Sequence, residues 1–249
     1  HFTDRRQRQM CIRDRIHPIN VGLILASLKM DADTIIAGLL HDVVEDCEIS
    51  LKTVKKEFGT NVAKLVDGMT KLLQLDDKLK DQSQAEYFQK MALATAEDVR
   101  VVIIKLADRL HNLQTIEHLP RDKQIKKAKE TLELYAPLAH QIGMHKMATD
   151  LEDHSFKTIH PFRHNLIEQA LKKNELNRKT LISKVKKTLK AKFKKNKLEA
   201  GTKGRRKRIY SIYQKMRAKQ KSFADIYDVF AFRVTVEKVE DCYKVLGII

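Results

Sequence analysis

The run GLLHDVVED, residues 38–46, constrains this chain more than any other feature of its sequence. Buried charges need partners, so a helix that only filled a core would not carry polar side chains in this apolar stretch. The polar members are His41, Asp42, Glu45 and Asp46. At 100° per residue they fall within one helical sector of about 140°. The pattern predicts a single helix over residues 31–47, with Asp33 as its N-cap.

Composition narrows the class of protein. Hydrophobic residues make up 43% of the 249, which is enough for a core. Few glycines and prolines and no tryptophan, with many leucines, lysines and alanines, favour a mainly helical protein. No apolar run approaches the length of a membrane span, and the start carries no secretory pattern. The three cysteines form no CxxC pair, which fits a reducing compartment. We expect a cytoplasmic protein without a membrane partner.

The net charge of +17 is unevenly distributed. Between Lys172 and Lys221 there are 21 lysines and arginines against two acids, so this window alone carries +19. The chain therefore consists of a near-neutral region followed by a strongly basic one, and we predict a domain boundary after residue 155. Within the basic region, residues 184–197 predict an amphipathic helix whose apolar side holds Val185, Leu189 and Phe193. A solvated helix face is the simplest interpretation of its lysines.

Four further stretches predict helices. They are residues 19–28, residues 51–59 with a stop at Gly59, residues 98–116, and residues 130–156 with an interruption at Pro137. In the third, Asp108, His111, Asn112 and Thr115 share one face, and Val102, Leu106 and Leu110 share another.

The His-Asp pair offers one imidazole nitrogen and one carboxylate oxygen to a common point. Such a mixed set suits Mn, Fe, Zn or Mg better than a metal that selects thiolates. Two ligands are too few, and Asp108 and His17 could complete four. We assign His111, His140 and His145 to structural roles. Lys71, Lys105 and Arg109 could contact phosphate or lie on a solvated helix surface.

The sequence then resembles a known family. HP at 17–18, GLLHDVVED at 38–46, KLADRLHNLQTI at 105–116 and ETLELYAPLAHQIG at 130–143 look like the HD hydrolase domain of the RelA/SpoT alarmone enzymes. KGRRKRIYSIYQKM at 203–216, with DIYDVFAFRV at 225–234, is similar to the start of their synthetase domain. The resemblance implies a mainly α fold. An all-helical HD-type metal-dependent phosphohydrolase domain would cover residues 16–155. A basic helical connector and the beginning of an α/β nucleotidyltransferase-like synthetase domain would cover residues 156–249.

The resemblance also implies an activity and its residues. The family removes pyrophosphate from the ribose 3′ position of (p)ppGpp and leaves GDP or GTP. Residues that match its metal ligands, which would bind one Mn²⁺, are His17, His41, Asp42 and Asp108. Glu45 and Asp46 match its catalytic acidic pair, while Asn112 and Thr115 match positions that line the nucleotide pocket.

The basic region carries the second set of matches. Arg205 and Lys207 match positions that grip the ATP phosphates during synthesis from ATP and GDP or GTP, and Lys215 is a further basic candidate. Asp228 matches a ligand of the Mg²⁺ expected there. Residues 228–236 predict a strand, with a helix after it. The remainder of that site, and regulatory domains that could contact the ribosome, would follow residue 249. We therefore expect the chain as printed to make no (p)ppGpp.

The first residues depart from the family pattern. A Gly-x-Pro-aromatic segment is expected before His17, but the chain reads HFTDRRQRQMCIRDRI, in which MCIRDR resembles translated sequencing-adapter sequence. We expect residues 1–15 to be non-native or disordered. Three other interpretations stay open: another HD-type nucleotide phosphohydrolase, a short hydrolase-only alarmone enzyme, and a basic RNA- or ribosome-binding module indifferent to His41 or Asp108.

Overall fold

The structure is a computed structural model that describes residues 16–47, 49–78, 98–173, 175–220, 223 and 230–249. Residues 1–15, predicted to be non-native or disordered, lie outside the described residues. Contacts divide the chain into two compact units, His1–Ile159 and His160–Ile249. The domain assignment made from the sequence, with its boundary after residue 155, stays a prediction.

The described elements of the first unit are all helical. In chain order they are α1 (16–27), α2 (Ala32–Leu39), α3 (Val43–Asp46), α4 (Leu51–Phe58), α5 (Thr60–Lys78), α6 (Val99–Gln114), a 3₁₀ turn (Ile116–His118), α7 (Arg121–Glu130), a π-helix (Thr131–Tyr135), α8 (Ala136–Gln141) and α9 (His145–Ile159). They enclose one hydrophobic core. Gly59 ends α4 with φ 91°, so the predicted stop there is confirmed.

Two glycines let α1 and α2 cross at close range. A Cβ added at Gly38 would overlap Leu25, which is fully buried, and one added at Gly22 would lie 2.9 Å from Leu39 Cδ2. Only glycine leaves room for such an approach. The crossing brings His17, in the first turn of α1, beside the residues that follow α2.

The single helix predicted over residues 31–47 is wrong. Helix α2 ends at Leu39, residues 40–42 form a turn, and α3 begins at Val43. The ring of His41 donates to the carbonyl of Gly38. In a continuing α-helix this carbonyl would accept from the backbone N–H of Asp42, so the side chain competes with the helix. The predicted N-cap is also wrong, because extended Asp31 takes that position and Asp33 lies in the first turn.

Helix α6 is buried on almost every side. Asp98 begins it by accepting a hydrogen bond from the Arg100 backbone at 2.9 Å. Val102, Leu106 and Leu110, which were predicted to share one face, are all buried. Its polar face is therefore held inside the first unit.

The helical stretch after Glu130 changes its helix type just before Pro137. The regular α-helix gives way to the π-helix Thr131–Tyr135, and α8 resumes with Pro137 in its first turn. Proline cannot donate to the preceding turn and would clash with its carbonyl, which explains the wider turn at this point. The interruption predicted at Pro137 is therefore wrong: the chain stays helical through the proline with a change of helix type before it, and the break comes at Gly143, with φ 79°.

The second unit combines helices with a small sheet. Its described elements are α10 (Pro161–Lys173), α11 (Glu175–Lys195), β1 (Gly201–Arg206), α12 (Ile209–Ala218), β2 (Phe230–Thr235) and α13 (Val239–Ile248). The two strands are antiparallel, with Gly201 opposite Thr235 and Arg206 opposite Phe230. Leu189 and Phe193 of α11 pack with Val245, which confirms the predicted amphipathic helix. The mainly α fold class is confirmed, and no described helix is long and apolar enough to cross a membrane.

Candidate metal centre

Three elements of the first unit bring four predicted ligands together. His17 comes from α1, His41 and Asp42 from the turn between α2 and α3, and Asp108 from α6. His17, His41 and Asp42 present ligand atoms that all lie within 4.8 Å of one another, and together they could hold a metal ion. Asp108 contacts both histidines of this group.

The distances between these atoms suit one shared cation. His17 Nε2 lies 3.3 Å from His41 Nε2 and 3.2 Å from Asp108 Oδ1. His41 Nε2 lies 2.9 Å from Asp42 Oδ2 and 3.9 Å from Asp108 Oδ1. Metal–ligand bonds of about 2.1 Å put ligand atoms about 3.0–4.2 Å apart, depending on the angle at the metal. These four distances match this range, and the mixed nitrogen and oxygen donors suit a divalent cation.

His41 is held in the orientation that a ligand needs. Its ring is 1% exposed, and its Nδ1 lies 2.8 Å from the Gly38 carbonyl oxygen, to which it donates. Nε2 therefore points at the other ligands and can offer its lone pair. Burial opposes charge on this ring, but the hydrogen bond and charge of Asp42, with the charge of Asp108, raise the pKa of His41.

Asp108 is a buried carboxylate surrounded by donors. Its Oδ1 accepts from Asn112 Nδ2 at 2.5 Å and lies against His17, while Oδ2 lies 3.4 Å from Lys105 Nζ. Burial alone would raise the pKa of this carboxyl, but the hydrogen bond from His17 and the charges of Lys105 and His41 hold it well below its usual range. Asp108 is therefore an anion ready to bind a cation.

His111 belongs to the same cluster, although the sequence analysis assigned it a structural role. Its Nδ1 lies 2.7 Å from His17 Nδ1, and the two ring centroids are 4.8 Å apart. Burial, and then the charge of His17, lower the pKa of His111. A neutral His111 can accept from His17 Nδ1–H, so His17 Nε2 would be the atom that binds a metal once it has given up the proton it shares with Asp108. The only sequence signal was its position on the polar face of α6.

Two basic side chains near the candidate metal centre have specific partners. Lys105 is buried and reaches Asp108. The guanidinium of Arg109 lies 4.1 Å above the Tyr135 ring, and its Nη2 donates to Glu130 at 2.8 Å. Burial opposes the charge of Arg109, but Tyr135 and Glu130 keep its pKa above the ordinary value. Arg109 is thus buried against the π-helix and is not part of a solvated helix surface. The third predicted phosphate contact, Lys71, is exposed and pairs with Asp67.

The predicted catalytic and nucleotide-binding residues lie on the elements that carry the ligands. Glu45 is exposed on α3, directly after the ligand turn, and the side chain of Asp46 lies outside the described part. Asn112 is half-buried on α6, and Thr115, at the end of α6, donates to the His111 carbonyl at 3.1 Å.

The second predicted site is described only in part. Arg205 lies in β1 opposite Ala231, but its side chain is outside the described part, as is all of Asp228. Lys207 follows β1, and Lys215 lies on α12; both are half-buried.

Comparison with known families decides the class of this chain. The family model described as HD domain matches residues 9–145, more than half of the 249 residues. The chain belongs to the HD domain family. The model described as "Region found in RelA / SpoT proteins" matches residues 204–249 of this HD domain protein. The resemblance to the RelA/SpoT enzymes is therefore confirmed, with an HD domain followed by a region found in these proteins.

Curated relatives agree with this assignment. Over 93% of its length, the HD domain chain is 44% identical to a Haemophilus influenzae protein named guanosine-3′,5′-bis(diphosphate) 3′-pyrophosphohydrolase. It is 42% identical to the Escherichia coli protein named bifunctional (p)ppGpp synthase/hydrolase SpoT, and 45% identical to a Streptomyces coelicolor protein named GTP pyrophosphokinase, each again over 93% of this chain. It spans 34%, 33% and 27% of these three proteins, so between about a quarter and a third of their length.

Proposed function

We propose that the chain hydrolyses (p)ppGpp, releasing pyrophosphate from the ribose 3′ position and leaving GDP or GTP. The observation that carries the proposal is the convergence of His17, His41 and Asp42 within 4.8 Å, with Asp108 against both histidines, in an HD domain. The names of the Haemophilus influenzae and Escherichia coli relatives support this substrate class. A nucleotide substrate of this kind also supports a cytoplasmic location.

We assign the metal to Mn²⁺, held by His17, His41, Asp42 and Asp108. Two imidazole nitrogens and two carboxylate oxygens form a mixed set that suits this ion better than a thiolate-selecting one. A divalent cation bound there would lower the pKa of a water molecule and offset the charge of the substrate phosphates. The ring of His41, fixed by the Gly38 carbonyl, and the buried carboxylate of Asp108 would be two ligands that are already oriented before the metal binds.

Glu45 and Asp46 are the proposed acidic pair. Helix α3 begins immediately after the proposed ligand Asp42. Glu45 and Asp46 therefore follow this ligand by only three and four residues. A carboxylate in such a position can orient the attacking water and accept its proton. Because neither residue belongs to the ligand set, their role should be separable from metal binding.

Asn112 and Thr115 are the proposed nucleotide contacts. They follow Asp108 by about one and two turns of α6, and both are half-buried. Asn112 already donates to the Asp108 carboxylate, and its amide oxygen remains an acceptor for a ribose hydroxyl. The same side chain would thus orient a metal ligand and hold the sugar that carries the scissile group.

For the second unit we propose a contribution to a pyrophosphate-transfer site that uses ATP, GDP or GTP, and Mg²⁺. The match of residues 204–249 to the RelA/SpoT region supports it, as does the name of the Streptomyces coelicolor relative. Arg205, Lys207 and Lys215 would neutralise phosphate charge, and Asp228 would bind Mg²⁺. Contact with the ribosome stays a prediction.

The decisive experiment incubates the chain with ppGpp, with and without Mn²⁺, and resolves the products by anion-exchange chromatography. We expect GDP and pyrophosphate only with the metal, and loss of both products in His41→Ala. Asp122→Asn, an exposed carboxylate on α7, is the matched control for Asp108→Asn. Turnover of GTP or dGTP but not of ppGpp would replace the proposal with another HD-type phosphohydrolase. No turnover of any nucleotide by the metal-loaded chain would remove the enzymatic proposal.

A further inference from the structure

Helix α11 carries many lysines and only one acid, Glu175. Some lysines elsewhere in the described chain pair with acids one turn away, as Lys71 does with Asp67 and Lys172 with Glu168. Six lysines of α11 have no such partner among the described residues, and we call them the lysine face: Lys184, Lys186, Lys187, Lys190, Lys194 and Lys195. All six are exposed except Lys186, which is half-buried.

The lysine face lies opposite the buried side of the helix. Leu189 is 9% and Phe193 2% exposed, and with half-buried Val185 they pack in the core of the second unit. At 100° per residue the lysines cover an arc of about 180° on the other side, over about 16 Å of helix. Part of this face is a groove of about 380 Å³ lined by Ile182, Ser183, Lys186, Lys187 and Lys190. The face is therefore a continuous cationic surface with a concave edge.

We propose that the lysine face of α11 is a docking surface for nucleic acid that contacts the sugar-phosphate backbone without reading the bases. Lysines are flexible point charges, suited to phosphates and poor at bidentate base recognition. Phe193, the one aromatic residue in the sequence of α11, is buried, so this helix offers no ring on which bases could stack. At a rise of about 3.4 Å per nucleotide, a face about 16 Å long faces about five phosphates of one strand.

Other polyanions fit this surface less well. A membrane-binding amphipathic helix inserts its apolar side into lipid, but the apolar stripe of α11 is already buried. Protein interfaces are depleted in lysine and are built around apolar anchors, whereas the groove in the lysine face offers one half-buried isoleucine, Ile182, among three lysines. The proposal is independent of the hydrolase function, because no residue of the face belongs to the candidate metal centre.

The test measures binding of fluorescently labelled RNA and DNA duplexes of one sequence, about 20 base pairs long, by anisotropy between about 50 and 200 mM salt. The variant is Lys187→Gln, Lys190→Gln and Lys194→Gln in the full chain. The control, Lys52→Gln, Lys55→Gln and Lys56→Gln, removes the same charge from exposed lysines of α4. Glutamine keeps helix propensity, and circular dichroism checks the fold of both variants.

We expect the α11 variant to bind about tenfold or more weakly at about 100 mM salt, with its log–log salt slope smaller by about 2 to 3, while the control changes by less than about twofold. Comparison of the affinities for the RNA and DNA duplexes shows which sugar-phosphate backbone the lysine face prefers. Equal weakening of both variants would mean that net charge alone drives binding, and it would overturn the proposal. Binding to phosphatidylserine vesicles that depends on the same lysines, without duplex binding, would assign the face to lipid headgroups and overturn it too.

Discussion

Nδ1 of His41 lies 2.8 Å from the carbonyl oxygen of Gly38, three residues earlier in the chain. The same glycine lets α2 approach Leu25 of α1. One residue thus sets the contact between two helices and orients the ring that turns Nε2 toward the other ligands. Packing of the core and geometry of the candidate metal centre depend on the same position.

The first prediction concerns metal content. The wild-type chain should bind about one Mn²⁺, and His41→Ala or Asp108→Ala should largely remove it, because each variant deletes a ligand from a small set. Elemental analysis after gel filtration measures the content. His140→Ala, an exposed histidine away from the cluster, should keep the metal. Equal occupancy in all four proteins would refute the ligand assignment.

The second prediction separates catalysis from binding. Glu45→Gln combined with Asp46→Asn should keep the metal but lose about 10²-fold or more in the rate of ppGpp hydrolysis, the usual scale for a proton-transfer group. Glu57→Gln combined with Asp122→Asn, both exposed, is the control. Near wild-type turnover by the first variant would show that the acidic pair has no catalytic role.

The third prediction concerns His111. His111→Leu removes the hydrogen-bond partner of His17 Nδ1, so Mn²⁺ affinity should fall by about 10- to 100-fold, the range seen when such orienting partners are lost. His111→Gln, whose amide oxygen can accept from the same ring, should recover part of it. Titration calorimetry gives both affinities. If the leucine and glutamine variants bound Mn²⁺ equally well, His111 would have no orienting role.

The fourth prediction concerns acid stability. Arg100 donates to Asp31 at 2.8 Å and to Asp98 at 2.7 Å, linking the starts of α2 and α6. Hydrogen bonds from Arg100 lower the pKa of Asp98, and Thr34 first, then Arg100, lower that of Asp31. A lowered folded-state pKa contributes stability above the ordinary aspartate value of about 3.9, which is lost as pH falls through the folded value.

Arg100→Gln should therefore reduce the free energy of unfolding by about 1 kcal/mol near neutral pH, since the pairs are partly exposed. The difference from wild type should shrink once both carboxyls are protonated, below about pH 3. Urea unfolding at the two pH values measures it. A difference that stays constant with pH would mean that Arg100 stabilises through packing alone.

Much of the ligand set could be predicted from the sequence, because His41, Asp42 and Asp108 sit in stretches with clear polar and apolar periodicity. The local conformation at His41 could not, since the helix breaks through a side-chain bond to Gly38 that periodicity does not encode. His111 was missed for a related reason: its partner His17 is 94 residues away, and only the tertiary fold brings them together. Strand β1 has a Gly-Thr-Lys-Gly-Arg-Arg sequence without strand propensity, and its pairing with β2 defines it.

The candidate metal centre draws its atoms from positions 17, 41, 42 and 108. During translation, a nascent chain that ends before residue 108 lacks one of the four donors. A cation captured earlier would be held by fewer groups and could exchange with competing ions in the cell. With this ligand set, the complete site can form only after α6 has been made and has docked onto α1 and α2.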